Sequence, residues 1–219
     1  MFMWWGVVFG LGGCWFIVSG FDWYRGRGGW VLYYPNPSGV VASLLDGVVV
    51  GDCSVRGVVL DVDYSSIVRL NRVLEELRPV GVVGLGLHPL ASVPLLEASA
   101  VNICFENHDG EKTVSKLYSD SPLSISVQIE LFDLLKYLWS RGYDVAPSNT
   151  TGLYLCNAVA YTIYRYASRN NSKALFIHIP PVGILKHRLS RTYVNMWSID
   201  LLKQLVVDVL KYMVKISDK

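Results

Sequence analysis

The chain has 219 residues, 52% hydrophobic and 17% charged, with a formal net charge of +2. This composition excludes an intrinsically disordered chain, and no Lys/Arg run of the kind that binds nucleic acid is present. The four cysteines, Cys14, Cys53, Cys104 and Cys156, are widely spaced with no C-x-x-C pair, which argues against a zinc cluster or a disulfide scaffold and reads as buried free thiols in a reducing compartment.

The first 21 residues carry no charge before Asp22 and are about long enough to cross a bilayer. They lack the basic start of a secretory signal, and five glycines weaken them as a helix. The expectation is an apolar extension over 1–14, or a start assigned too far upstream, then one domain over 15–219 with no membrane attachment. Trp15–Gly20 reads as a buried first strand and Phe21–Tyr34 as a long loop rich in Gly, Arg and aromatics. Asn36-Pro37-Ser38 opens a helix, Asn as cap and Pro in the first turn, which ends at Gly47.

Val58–Val62 is a strand. Ser65–Leu77 has the helical period, with Ile67, Leu70, Val73, Leu74 and Leu77 on one side. VGVVGLGL (80–87) is a continuous apolar run that suits a strand buried on both faces. Residues 99–105 form another strand-like run, Val127–Ser140 an amphipathic helix and Tyr143–Ala146 a short strand. A helix runs from Cys156 to about Arg169, followed by an apolar strand over Ala174–Ile179 and a long helix over Ser198–Ile216. Strands alternating with helices predict an α/β fold: a three-layer α/β/α sandwich around a mostly parallel, twisted sheet.

Chemistry centres on SNTTGLYLCNAVAY (148–161). Polar residues give way to an apolar run at Cys156, which places a thiol at a helix N-terminus. The helix dipole and free N–H groups there stabilise a thiolate and offer donors to an oxyanion. Packing in the core is the other reading of a lone cysteine. Of the four histidines, His178 ends the strand ALFIHIPP, at the end where side chains of α/β sheets face the active-site crevice. A satisfied core histidine is the alternative there. His108 and His187 lie in polar, loop-like sequence, and His88 precedes Pro89 in a turn. Glu97 is the only acidic residue among the 20 positions 86–105. A carboxylate in so apolar a segment is either on a helix surface or paired, and an imidazolium is a suitable partner. No dinucleotide fingerprint, P-loop, G-x-S-x-G elbow or metal motif is present.

Five segments in order, FIVSGF with NPS (36–38), VVGLGL, LLEASAVNI (95–103), SNTTGLYLCN (148–157) and LFIHIP (175–180), give the chain from Trp15 onward a resemblance to pyroglutamyl peptidase type I. That resemblance implies a cysteine peptidase that removes N-terminal 5-oxoproline from peptides without metal or cofactor. Cys156 would be the nucleophile, His178 the general base and Glu97 the group that orients the imidazole. It also implies apolar walls for the pyroglutamyl ring from Phe21 and Tyr24, further lining from Tyr154 and Leu155, and lactam hydrogen bonds from backbone near Leu87. A cytoplasmic homodimer or homotetramer is expected.

The chain departs from the family pattern in four places. GLHPLAS (86–92) replaces a Gly-rich G-Q-A-G-G-R run. The Arg that follows the glutamate is Ala98, and a further Arg falls at about Asn107. The first loop is longer. These departures keep a second reading open: a related cysteine amidase with altered small-acyl specificity, or a catalytically weakened member.

Overall fold

The computed structural model describes residues 13–22, 24–25, 31–33, 35–108, 111–182 and 197–217. Most of the apolar N-terminal stretch and His187 lie outside them. No helix among the described residues is long and apolar enough to cross a membrane.

The first strand, β1 (Trp15–Phe21), is followed not by a plain loop but by an antiparallel pair, β2 (Tyr24–Arg25) with β3 (Val31–Tyr33). Helix α1 (Pro37–Leu45) starts as expected: the Asn36 side chain accepts from Ser38 N–H and Pro37 sits in the first turn. A short β4 (Val49–Val50) turns back into β5 (Cys53–Leu60), which begins earlier than the apolar run Val58–Val62 and ends before it does. Its polar first half is a strand because it pairs with β1 along its whole length, from Trp15 against Ser54 to Phe21 against Leu60. Helix α2 (Ser65–Leu77) has the expected limits, with Ile67, Leu70 and Leu74 buried. Strand β6 (Gly81–Leu87) is buried at every residue, as its unbroken apolar run requires.

The run 99–105 divides. β7 (Leu95–Glu97) joins the main sheet, β8 (Ser99–Val101) pairs with β11 (Ser124–Ser126), and β9 (Cys104–His108) forms a hairpin with β10 (Glu111–Ser115). Helix α3 (Leu131–Ser140) starts later than its periodicity predicts, because Ser124–Ser126 is held in β11 and Val127 N–H bonds to Ala98 O. β12 (Ala146–Ser148) lies just beyond the expected strand; Tyr143 and Val145 are spent on the core instead. Pro147 is tolerated because β12 is an edge strand. Helix α4 (Leu155–Asn170), β13 (Lys173–Ile179) and α5 (Ile199–Ser217) complete the chain.

The central sheet has seven strands in the order β12-β7-β13-β6-β1-β5-β4. Its joints are parallel except β7 with β13 and β4 with β5. Alternate side chains feed two cores. Phe16, Val18, Val83, Leu85, Leu175 and Ile177 pack with α1, α3 and α5 on one face. Ile17, Val82, Ala174 and Phe176 pack with α2 and α4 on the other. The expected three-layer α/β fold with a mostly parallel sheet is therefore what forms.

One reading of the cysteines is corrected. Cys14 and Cys53 are joined in a disulfide across the start of the β1–β5 ladder, while Cys104 and Cys156 are not in disulfides. Wide spacing in sequence hid the pairing, which exists only because β1 and β5 are neighbours in register.

Candidate active site

Cys156 is the second residue of α4, in the first turn, where N–H groups have no intrahelical acceptor. The helix is anchored there by Asn157. Its fully buried amide accepts from Val101 N–H and Thr151 Oγ1 and donates to Val101 O and Ile103 O. Those four bonds satisfy every site on the amide and hold the cysteine turn against the end of β8 and the chain just beyond it.

The turn can approach the sheet closely because β6 presents glycine beneath it. A Cβ on Gly86 would lie 2.8 Å from Cys156 Sγ and 2.9 Å from Phe176 Cζ. One on Gly84 would lie 2.6 Å from Phe176 Cδ2 and 3.1 Å from Ile163 Cδ1. Cys156 and Ile163 are seven residues apart, two helical turns, so one face of α4 rides over the two glycines. Gly86 is also the register partner of His178 in β13. The thiol and the imidazole are thereby brought together over the gap that Gly86 leaves.

His178 is 5% exposed and Glu97 fully buried. Glu97 Oε1 lies 2.7 Å from His178 Nδ1, which leaves Nε2 for the Cys156 side, where the thiol raises the imidazolium. Glu97 Oε2 accepts from Thr150 N–H at 3.0 Å. The His178 ring is flanked edge-to-face by Phe176 at 5.1 Å and His88 at 5.4 Å between centroids. Burial pulls the imidazolium of His178 down, but the hydrogen bonds to Cys156 and Glu97 outweigh it and raise it to about 9. His88 is shifted the other way, lowered by burial and then by the neighbouring His178. Its Nδ1 accepts from Leu90 N–H at 3.3 Å, which leaves the proton of the neutral ring on Nε2. A thiol at a helix N-terminus, a protonated imidazole and a carboxylate bonded to that ring are the kinds of group that acyl transfer through a thioester uses.

Cys156, His178 and Glu97 thus converge from three separate stretches of sequence. Leu87 ends β6, one strand over from His178, with His88 N–H bonded to Ile179 O. Tyr154 caps the N-terminus of α4, is 50% exposed and meets Tyr64 edge-to-face at 5.5 Å. Tyr64 in turn exchanges hydrogen bonds with Phe105 N–H and O. Leu155 and Phe21 are buried in the α2–α4 core. Phe21 N–H bonds to Ser38 Oγ, so the end of β1 is fixed to the start of α1. The backbone of Tyr24 lies in β2; its side chain is outside the described part. Ala98 is the single residue between β7 and β8, and Asn107 and His108 lie in β9 rather than in a loop. Asn157, Thr150, Gly86 and His88 were not evident as site residues. Only Asn157 carried a signal, a polar residue directly after the cysteine on the apolar helix.

Residues 16–198 match the family model described as pyroglutamyl peptidase. The chain is 30% identical over 171 residues to the pyrrolidone-carboxylate peptidase of Thermococcus litoralis, covering 75% of each chain. It is 31% identical over 171 residues to that of Pyrococcus furiosus, covering 75% of this chain and 79% of the relative. The solved structure of the T. litoralis pyrrolidone carboxyl peptidase superimposes with a TM-score of 0.82 at 25% identity, over 94% of this chain and 95% of the other.

Proposed function

The chain belongs to the pyroglutamyl peptidase family, and from that premise we propose that it removes N-terminal 5-oxoproline from peptides through Cys156, His178 and Glu97. The observation that carries this reading is the buried Glu97–His178 pair beside Gly86, over which the first turn of α4 brings Cys156. Cys156 Sγ attacks the pyroglutamyl carbonyl while the N–H groups of the first turn of α4 receive the oxyanion. His178, held by Glu97, protonates the leaving amine, and the C–N bond breaks to leave a thioester. His178 then takes a proton from water, hydroxide adds to the thioester, and free 5-oxoproline and the thiol are released.

Phe21, Tyr24, Tyr154, Leu155 and backbone near Leu87 belong to the proposal as the substrate pocket. Tyr154, half exposed at the N-cap of α4 two residues before Cys156, supports it most directly. Assembly as a homodimer or homotetramer and a cytoplasmic location complete the reading. Large apolar side chains left at the surface, Phe132 at 77% exposure among them, support the former. Light scattering on the purified protein tests it.

A related amidase with another small-acyl preference is favoured by one observation: His88, not a Gly-rich turn, packs against His178. One experiment separates the two. Fluorogenic pyroglutamyl-, prolyl- and alanyl-amides are offered to the protein and to Cys156→Ser. Cleavage of the pyroglutamyl amide alone, lost in Cys156→Ser, is expected. Faster cleavage of another acyl amide selects the second reading, and thiol-independent or absent turnover on all three rejects both.

A further inference from the structure

We infer that Tyr164 is a positioning residue, whose hydroxyl bridges the main chains of β7 and β13 and so sets the separation at which the Glu97 carboxylate reaches His178. The inference rests on the triad reading above. Tyr164 lies eight residues beyond Cys156 on α4 and is fully buried. Its hydroxyl donates to Glu97 O at 2.6 Å and accepts from Phe176 N–H at 3.1 Å. Glu97 and Phe176 are a cross-strand pair at the β7–β13 joint, so the phenol links the two strands that carry Glu97 and His178.

This joint is short. β7 is three residues long, and its register against β13 is Phe176–Glu97, Ile177–Leu96 and His178–Leu95. The β7–β13 register ends at Glu97, and the next N–H, that of Ala98, bonds to Ser148 O of β12 on the other side of β7. The Tyr164 bridge therefore ties the last rung before the strands part. Burial raises the phenol well above its ordinary range, so it stays neutral and keeps the proton it donates. Phenylalanine would fill the same space but leave Glu97 C=O and Phe176 N–H without this partner in a dry interior. The strands would then be free to shift, and a displacement of about 1 Å in a catalytic array costs on the order of a hundredfold in rate. The 2.7 Å contact between Glu97 and His178 leaves little room for such a shift.

The test uses Tyr164→Phe, Glu97→Gln and the double variant in the full chain. The readouts are kcat and KM on a pyroglutamyl amide, thermal melting, and NMR titration of the His178 imidazole. The expected result for Tyr164→Phe is a kcat about tenfold lower with KM within about twofold. The His178 titration should move down by about one unit, a tenfold change in its protonation equilibrium. In the Glu97→Gln background the same change should add little, because both act on one contact. A lower melting temperature with unchanged kcat and unchanged His178 titration overturns the inference. So does a Tyr164→Phe effect of full size in the Glu97→Gln background. If the wild type turns over no pyroglutamyl amide while Tyr164→Phe still shifts the His178 titration, the peptidase reading falls and this inference stands.

Discussion

Glu97 and His178 sit diagonally across the β7–β13 joint: His178 faces Leu95, and Glu97 faces Phe176. Diagonal positions on one face of a sheet are ~7–8 Å apart at the backbone, a gap that a long side chain can close. Glutamate reaches with two methylenes, and the resulting bond helps raise His178 to about 9. The sign of the pH effect follows. A histidine raised in the folded state contributes stability that is fully present below about 6.5 and is lost as pH rises towards about 9. Activity that needs a protonated His178 falls through the same window. Glu97→Gln removes the charge and one raising partner. It should lower kcat by about a hundredfold and move the alkaline limb of the pH–rate profile downwards, read from kcat/KM between pH 5 and 10. A limb left in place would mean that Glu97 does not act on His178. Burial and the neighbouring His178 lower His88, which disfavours a second charge beside the His178 imidazolium. Cys156, His178 and Glu97 stood out in the sequence because each broke its local pattern: a thiol at a helix start, an imidazole at a strand end, a carboxylate in apolar surroundings. His88 and Tyr164 gave no such signal. A histidine before proline and a tyrosine within a helix are ordinary, and only the register of distant strands gives them a partner.

At the scale of elements, α4 and β6 form one device. The helix delivers Cys156, and the glycines at 84 and 86 let it descend onto the strand next to His178. Gly86→Ala places a methyl group 2.8 Å from Cys156 Sγ and 2.9 Å from the Phe176 ring, so both must move. The expected outcome is a kcat more than about tenfold lower, with about 1–3 kcal/mol of stability lost to overpacking. Activity assays beside denaturant melts check it; wild-type kcat would show that the close approach is not needed. Elements set by a long local pattern were legible: α2 has its expected limits, and β6 and β13 lie within a residue of theirs. Those set by pairing were not. β7, β8 and β9 follow one another in sequence yet enter three different sheets. The β2–β3 hairpin hides in Gly- and Arg-rich sequence that looks like loop. No local period distinguishes a three-residue strand from a turn, and it was such a strand, β7, that carried the carboxylate.

For the molecule as a whole, the two cores on either face of the sheet hold the site rigid, and two cross-links reinforce them. Asp208 of α5 is buried and accepts from Arg141 Nε and Tyr143 Oη, both at 2.8 Å, tying α5 to the end of α3. The Cys14–Cys53 disulfide, spanning 39 residues of sequence, fixes the start of β1 to β5. Closing a loop of that length contributes up to about 4 kcal/mol by restricting the unfolded chain. Reduction, or Cys14→Ser, should therefore lower the melting temperature while leaving kcat at its native value below the transition, since β1 meets the site at its other end. Calorimetry with and without reductant measures this; an unchanged melting temperature would show that the bridge carries no stability.

In the proposed mechanism Cys156 forms a thioester with the pyroglutamyl group, under the control of His178 and Glu97. Acid quenching during turnover of a pyroglutamyl ester, followed by peptide mass spectrometry, tests it most directly. The expected result is a pyroglutamyl adduct on the peptide containing Cys156. That adduct should be absent in Cys156→Ala and should accumulate in wild type when its hydrolysis is slower than its formation. An adduct on another residue, or turnover that persists in Cys156→Ala, would contradict it.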